Sequence, residues 1–281
     1  MPTTYAHYRF GCDVLHMLEG QQAPSGSAAT ADRPSLADII KKERELFDWG
    51  VHGPDLCFYY HPLRDNAVFR AGRYYHKKTG RQFFRQQAEL LRKQTAHADE
   101  STDSTAPYIS YLLGVLCHYV LDRECHPYVA EKESDGFSHD GLEAYFDRFL
   151  IQQDGHIPNT YMPTGHLHVS ERSAAVISDF YPEITPAEFL EAERGMLRIL
   201  GLLNSPALAR TFFRCAASVR GAGDKFIPLW DDPKYTGTNA ELLELYDAAL
   251  ARYPEMLTQL ISYIRNRTPL GPEFENTFSV D

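Results

Sequence analysis

Apolar residues along this 281-residue chain recur mostly at intervals of three and four, the spacing that lines one face of an α-helix. Residues 35–50 begin with Ser35, carry Asp38 three positions on, and stop at Gly50, which predicts one capped helix. The same periodicity predicts helices over 81–98, 138–153, 185–203 and 238–266. The helix at 185 opens on a capping-box pattern, Thr185 to Glu188, with Pro186 at its first position. The helix at 238 opens on another, Thr238 to Glu241, and is expected to kink at Pro254. Residues 106–125 differ because they are apolar nearly all round, the pattern of a helix buried on every side. Strand-like alternation is almost absent, so the expected fold is all-α, a helical bundle in a single domain over 1–281.

Polar connectors separate these segments. Residues 20–34 are the most linker-like and are expected to be mobile, and 97–107 form a second connector. Two longer connectors, 154–170 and 221–238, carry aromatic residues and are expected to cover a site. Residues 1–153 hold the segments that bear chemistry, and 171–281 are expected to complete the bundle.

Composition narrows the partners. Apolar residues make up 43% and aromatics 12%, enough for a core that needs neither disulfide nor metal to fold. Net charge is −10, from 28 basic against 38 acidic residues, which argues against a duplex nucleic acid partner. It leaves room for an enzyme acting on phosphodiesters, because bound divalent cations reverse the local field. Five cysteines (Cys12, Cys57, Cys117, Cys125 and Cys215) form no Cys-x-x-Cys pair, so a reducing compartment is expected. The first ten residues lack the apolar core of a signal peptide, and no apolar run is long enough to span a bilayer. The expected location is cytoplasmic.

The candidate chemistry begins inside the greasiest helix. His118 and Asp122 lie four apart and share a helical face, among Leu, Val, Tyr and Cys. A buried unpaired carboxylate is costly, so such a group is paired or holds a metal. His126 follows four residues later, where Pro127 is expected to end the helix. The next helix carries His139 and Glu143, again four apart, with Asp147 one turn on. A single pair of this kind is commonly an ordinary ion pair. Two pairs and a third histidine within 25 residues favour divalent metal, which imidazole and carboxylate bind at about 2.0–2.2 Å. Packed together, the pairs suit two metals about 3.5–4 Å apart, a separation used for phosphoester cleavage. Upstream candidates are Asp55 in a Gly-Pro-Asp turn, His76 ahead of the helix at 81, and His7; each alone is more often a turn former or an ordinary histidine. His61 competes with His76. The His139–Asp140 doublet also suggests an all-α phosphohydrolase with Asp140 as ligand, but neighbouring residues point about 100° apart on a helix.

The segments AHYRFG, GPDLCFYY, GRYYH, HYVLDRECHPY and HDGLEAYFD, taken in order, resemble the zinc-dependent phospholipases C, whose fold is shared with single-strand-specific nucleases. The likeness is closest to the intracellular bacterial branch and covers roughly the first 150 residues. It implies an α-helical bundle with a multinuclear zinc site at one end. By that resemblance, Asp55, His76, His118 and Asp122 hold one zinc ion and His126, His139 and Glu143 a second. His7 serves a third, bridged by Asp122. It implies that Asp55 is also the general base and that metal-activated water attacks phosphorus. Secreted relatives complete the third site with a processed N-terminal tryptophan, whereas this chain begins Met-Pro, so two or three Zn²⁺ ions are expected. The implied substrate is a phospholipid or a smaller phosphoester, with transient contact to a membrane surface. Nuclease or nucleotidase chemistry on the same metals is the second reading, and a non-catalytic lipid- or partner-binding relative the third. Phe58, Tyr59 and Tyr60 could wall a pocket or grip a quaternary ammonium.

Overall fold

A computed structural model of the chain describes residues 4–20, 34–62, 64–97, 104–203, 228 and 231–279. Its helices in chain order are α1 (Thr4–Gly20), α2 (Leu36–Lys42), α3 (Arg44–Gly50), a 3₁₀ helix (Gly53–Tyr59), α4 (Ala67–His76) and α5 (Gly80–His97). They continue with α6 (Ala106–Ser134), α7 (His139–Gln153), α8 (Glu171–Phe180), α9 (Pro186–Leu203), α10 (Pro233–Asn266) and a short 3₁₀ turn (Pro272–Phe274). The fold is all-α; among the described residues the sole extended pairing is an antiparallel bridge between Thr79 and Thr277. No helix among them is long and apolar enough to cross a membrane.

The apolar segment at 106 becomes the axis of the molecule. Every residue from Ser110 to Asp122 on α6 is buried, and α1, α3, α7 and α10 pack around it. The approach of α3 to α6 is backbone on backbone. A Cβ on Gly114 would lie 2.4 Å from the Phe47 carbonyl oxygen, and one on Gly50 only 2.3 Å from that of Tyr111. Only hydrogen in place of a side chain permits this spacing.

Several local expectations change. The helix expected over 35–50 is two helices, because Glu43 leaves helical geometry (φ −112°, ψ 41°) between α2 and α3. The Ser35–Asp38 capping box is formed, as is the Thr185–Glu188 box that opens α9. Thr238 is not a cap. Asp232 caps α10 six residues earlier, and the buried Thr238 hydroxyl donates back to the Tyr235 carbonyl. α6 runs through Pro127 to Ser134 instead of stopping, with Pro127 on the exposed side where water can take up the freed carbonyl. α1 and α4, which the periodicity did not single out, are both helical. Most of 20–34, 98–103 and 221–227 lies outside the described residues.

One buried carboxyl stands apart from the candidate chemistry. Glu193 on α9 accepts from the Ser173 hydroxyl (2.8 Å) and from the Ser170 backbone N–H (3.3 Å), tying α9 to the start of α8. Burial pushes its pKa up to about 8.

Gly114→Ala is expected to lower stability by about 1–3 kcal/mol through backbone overpacking, read as a shift in the urea midpoint. The raised pKa of Glu193 means that the folded state holds a proton the unfolded chain releases above its ordinary carboxylate pKa. This contribution to stability is therefore complete in acid and is lost as pH rises towards about 8. Urea midpoints at pH 5.5 and 8.5 should fall more steeply for the wild type than for Glu193→Gln, and parallel curves would contradict this assignment.

Candidate metal centre

Four elements converge on α6 between its middle and its C-terminal third. α1 brings His7, the 3₁₀ helix Asp55, and the last residue of α4 His76. α6 supplies His118, Asp122 and His126 at successive intervals of four, and the first turns of α7 supply His139 and Glu143. Their ligand-type atoms fall into three groups: Asp55, His76 and His118; His7, His118 and Asp122; His126, His139 and Glu143. Within each group these atoms lie within 4.8 Å of one another, close enough to hold a metal ion.

The distances are those of interlocked pairs. His76 Nε2 is 2.6 Å from Asp55 Oδ1, and His118 Nε2 is 3.8 Å from Asp55 Oδ2 and 3.0 Å from Asp122 Oδ2. Asp122 Oδ1 faces His7 Nε2 at 3.2 Å and His126 Nε2 at 3.6 Å, so this carboxylate joins the groups. Glu143 Oε1 lies 3.1 Å from His139 Nε2 and 3.6 Å from His126 Nε2.

What aims these rings is the opposite nitrogen of each. Nδ1 of His76 donates to the Gly72 carbonyl (2.7 Å), that of His118 to Val51 (3.3 Å) and that of His126 to Phe278 (2.7 Å). His139 Nδ1 meets Glu133 at 3.1 Å. In the neutral ring, an Nδ1–H engaged in this way fixes the tautomer and leaves the Nε2 lone pair facing inward, the usual outer support of a metal-binding histidine. The α1 end is held differently. Asp147 accepts the backbone N–H groups of Tyr5 (3.0 Å) and Ala6 (2.7 Å), anchoring the first turn that carries His7.

Gly53 makes room for this arrangement. It sits in the left-handed region (φ +50°), and a Cβ there would lie 2.8 Å from the His118 ring. The 3₁₀ helix can therefore start against His118 and carry Asp55 up to it.

The electrostatics are those of charges forced together in a dry place. Burial pulls His126 down, but the charges of Asp122 and Glu143 outweigh it and push the imidazole up to about 9. His139 moves up in the same way beside Glu143. Burial likewise opposes ionisation of Asp122 and Glu143, yet the surrounding histidines hold both well below the usual carboxylate range. Even so, Asp55 Oδ2, His118 Nε2, His7 Nδ1 and Glu143 Oε2 are buried without a hydrogen-bond partner. Leaving four such atoms unsatisfied is costly. Nitrogen and carboxylate donors of this kind fit a zinc ion, which would occupy their lone pairs and supply the positive charge the carboxylates need.

A cleft of about 360 Å³ opens onto the groups, walled by members of all three together with Phe58, Arg73, Lys77 and Ser279. Phe58 is half-buried there, whereas Tyr59 is core and Tyr60 packs against His61. His61 is exposed in a turn at φ +45°, so His76 is the histidine brought to Asp55. Asp140 lies outside the three groups and Glu143 within one. Cys117 and Cys125 have thiols pushed up by burial, which suits packing.

The connector 154–170, expected to cover the site, instead docks beside it. His166 stacks on Tyr8 (3.9 Å) and its Nε2 is 3.0 Å from that of buried His52. Burial pushes both imidazoles down, His166 to about 3, so this is a neutral pair sharing one proton. Two features have no counterpart in the sequence reading. His52 carried no spacing signal. The C-terminal segment also enters the site: Phe278 is fully buried against Phe83 and Tyr119 (5.2 and 4.9 Å), its carbonyl holds His126, and Ser279 reaches the cleft.

A family model described as zinc dependent phospholipase C matches residues 16–193, more than half of the chain. The matched span contains Asp55, His76, His118, Asp122, His126, His139 and Glu143, while His7 and Phe278 lie outside it. No curated protein and no solved structure matches the chain.

Removing residues 277–281 takes away the carbonyl that fixes His126. Zinc affinity of the truncated chain should fall about 10–100-fold, and the Nδ1–H tautomer of His126 should be lost from its ¹⁵N NMR signature. Phe278→Leu, which keeps the carbonyl, is expected to lose less. Unchanged affinity and tautomer in the truncated chain would show that the tail does not orient the ring.

Proposed function

The chain belongs to the zinc dependent phospholipase C family, and we propose that it is a metal-dependent phosphodiester hydrolase of the phospholipase C type. In this reaction water adds to phosphorus, the bond from phosphorus to the glycerol oxygen breaks, and a phosphorylated head group leaves beside diacylglycerol. The observation that carries the reading is the set of three histidine–carboxylate groups, which hold four buried side-chain atoms that make no hydrogen bond and put Asp55, His76, Asp122, His126, His139 and Glu143 on the wall of one cleft.

His126, His139 and Glu143 form one set of metal ligands, and Asp55, His76 and His118 another. His118 has only Nε2 to offer, since Nδ1 is engaged by Val51, so one ion at most can take it. A third ion would rest on His7 and Asp122, with Asp122 facing both neighbouring groups. Zinc bound in such a site lowers the pKa of water towards about 7 and offsets charge that develops on phosphate oxygens.

Asp55 is the proposed proton acceptor. His76 fixes one of its carboxylate oxygens, and the other is unpartnered at the cleft wall, where it can take the proton of an attacking water. Glu143 is held ionised by His126 and His139, so it acts as a ligand and not as an acid. Phe58, backed by its T-shaped neighbour Phe69 (5.0 Å), gives the cleft an apolar side against which a glycerol backbone can lie.

The purified protein should contain zinc and release a phosphorylated head group from phospholipid in mixed micelles. A chelator should abolish this release, and added zinc should restore it. His118→Ala and Glu143→Ala should each lose about one equivalent of zinc or more. Asp55→Asn should lower kcat by about 10²–10⁴-fold. A folded protein that takes up no zinc after loading and removal of excess would overturn the proposal.

A further inference from the structure

Every carboxylate on the wall of the cleft (Asp55, Asp122 and Glu143) belongs to a histidine group. The charged side chains that remain on that wall are Arg73 and Lys77, both cationic. They flank His76 on the last turn of α4 and just beyond it, so the segment that brings a ligand-type histidine inward also brings two positive charges to the mouth.

Arg73 is held without being neutralised. Its guanidinium lies over the Phe69 ring at 4.9 Å, and no carboxylate among the described residues pairs with it. Stacking of this kind fixes the plane of the fork and leaves its N–H edge for an anion. Arg70, Arg81 and Arg92 of the same stretch pair with Asp65, Glu275 and Glu89. Between residues 64 and 93 basic residues outnumber acidic ones nine to two, in a chain whose net charge is −10. Of the three aromatic residues expected to grip a quaternary ammonium, Phe58 is the one on the cleft wall. Tyr59 is core, and Phe58 is engaged by Phe69 and His76.

We infer that Arg73 and Lys77 form a subsite for a second anionic group, a carboxylate or phosphate on the head group, so that the preferred substrate is an anionic phospholipid rather than a choline or ethanolamine one. This rests on the chain being a phosphodiester hydrolase. The scissile phosphate lies at the histidine groups, and the additional anion meets the cations beside His76. A head-group ammonium at the same place meets charge of its own sign.

The test compares lipids that differ by one carboxylate. Zinc-loaded wild type and the double variant Arg73→Gln/Lys77→Gln are assayed on phosphatidylserine and phosphatidylethanolamine in mixed micelles. The deacylated glycerophosphoserine and glycerophosphoethanolamine separate recognition of the head group from attraction to a charged micelle. Calorimetry with phosphoserine and phosphoethanolamine reads binding without turnover. The wild type should favour the serine compound at least tenfold in kcat/KM, mainly through KM, in both the lipid and the deacylated pair. It should also bind phosphoserine more tightly by a similar factor, and the double variant should bring both ratios close to one. A wild-type ratio near one, a preference confined to micelles, or a preference that survives the double substitution overturns the subsite while hydrolysis itself stands. Hydrolysis of none of the four compounds by a zinc-loaded protein would overturn the phosphodiesterase reading, and the subsite with it.

Discussion

Ionisable groups cannot be left alone in an apolar interior, and this bundle places several along the middle of its most buried helix. His118 is fully buried and Asp122 nearly so. Each then requires partners of opposite charge, and these come from helices far apart in the chain. His7 arrives from α1, Asp55 from the 3₁₀ helix, and the α7 pair completes the cluster. The glycine contacts at Gly50, Gly53 and Gly114 follow from the same demand, because the elements around α6 must come close enough to reach these groups. Packing and electrostatics thus have one geometry as their joint solution.

The parts of the site legible in the sequence are those with local spacing. His118 and Asp122, and His139 and Glu143, declare themselves by intervals of four on helices that apolar periodicity makes visible. Capping residues placed the starts of α2 and α9 for the same reason, since a cap is a contact across three residues. Prediction weakened where the deciding contact was distant. Pro127 looks like a helix terminator until its exposed setting is known, and Thr238 looks like a cap until Asp232 is seen to fill that role upstream. Pattern separates His61 from His76 only by the setting of His76 just before the helix at 81. Their difference is that one ends a helix packed on the 3₁₀ segment while the other occupies an exposed turn.

The family match and the site overlap without coinciding. Residues 16–193 contain two of the three histidine–carboxylate groups whole, but His7 precedes the match and the tail that supports His126 follows it. The pieces outside the match are therefore those whose sequence need only satisfy a contact: a histidine on a helix anchored by Asp147, and a main-chain carbonyl that any residue could present. A backbone group has no side-chain signature, which is why Phe278 could not be read in advance from residue types.

That carbonyl has a further consequence for the order of events during folding. His126 and Phe278 are 152 residues apart, and Tyr5 and Asp147, which seat the helix carrying His7, are 142 apart. Contacts of such sequence separation carry the largest loop-closure cost, which local helices and near neighbours do not bear. A chain with α6 and α7 already packed would still carry His126 in either tautomer until the tail closed over Phe83 and Tyr119. Orientation of this one imidazole is thus a marker of long-range closure, and in the proposed metal site the geometry of the His126 group would be complete only once the tail has docked.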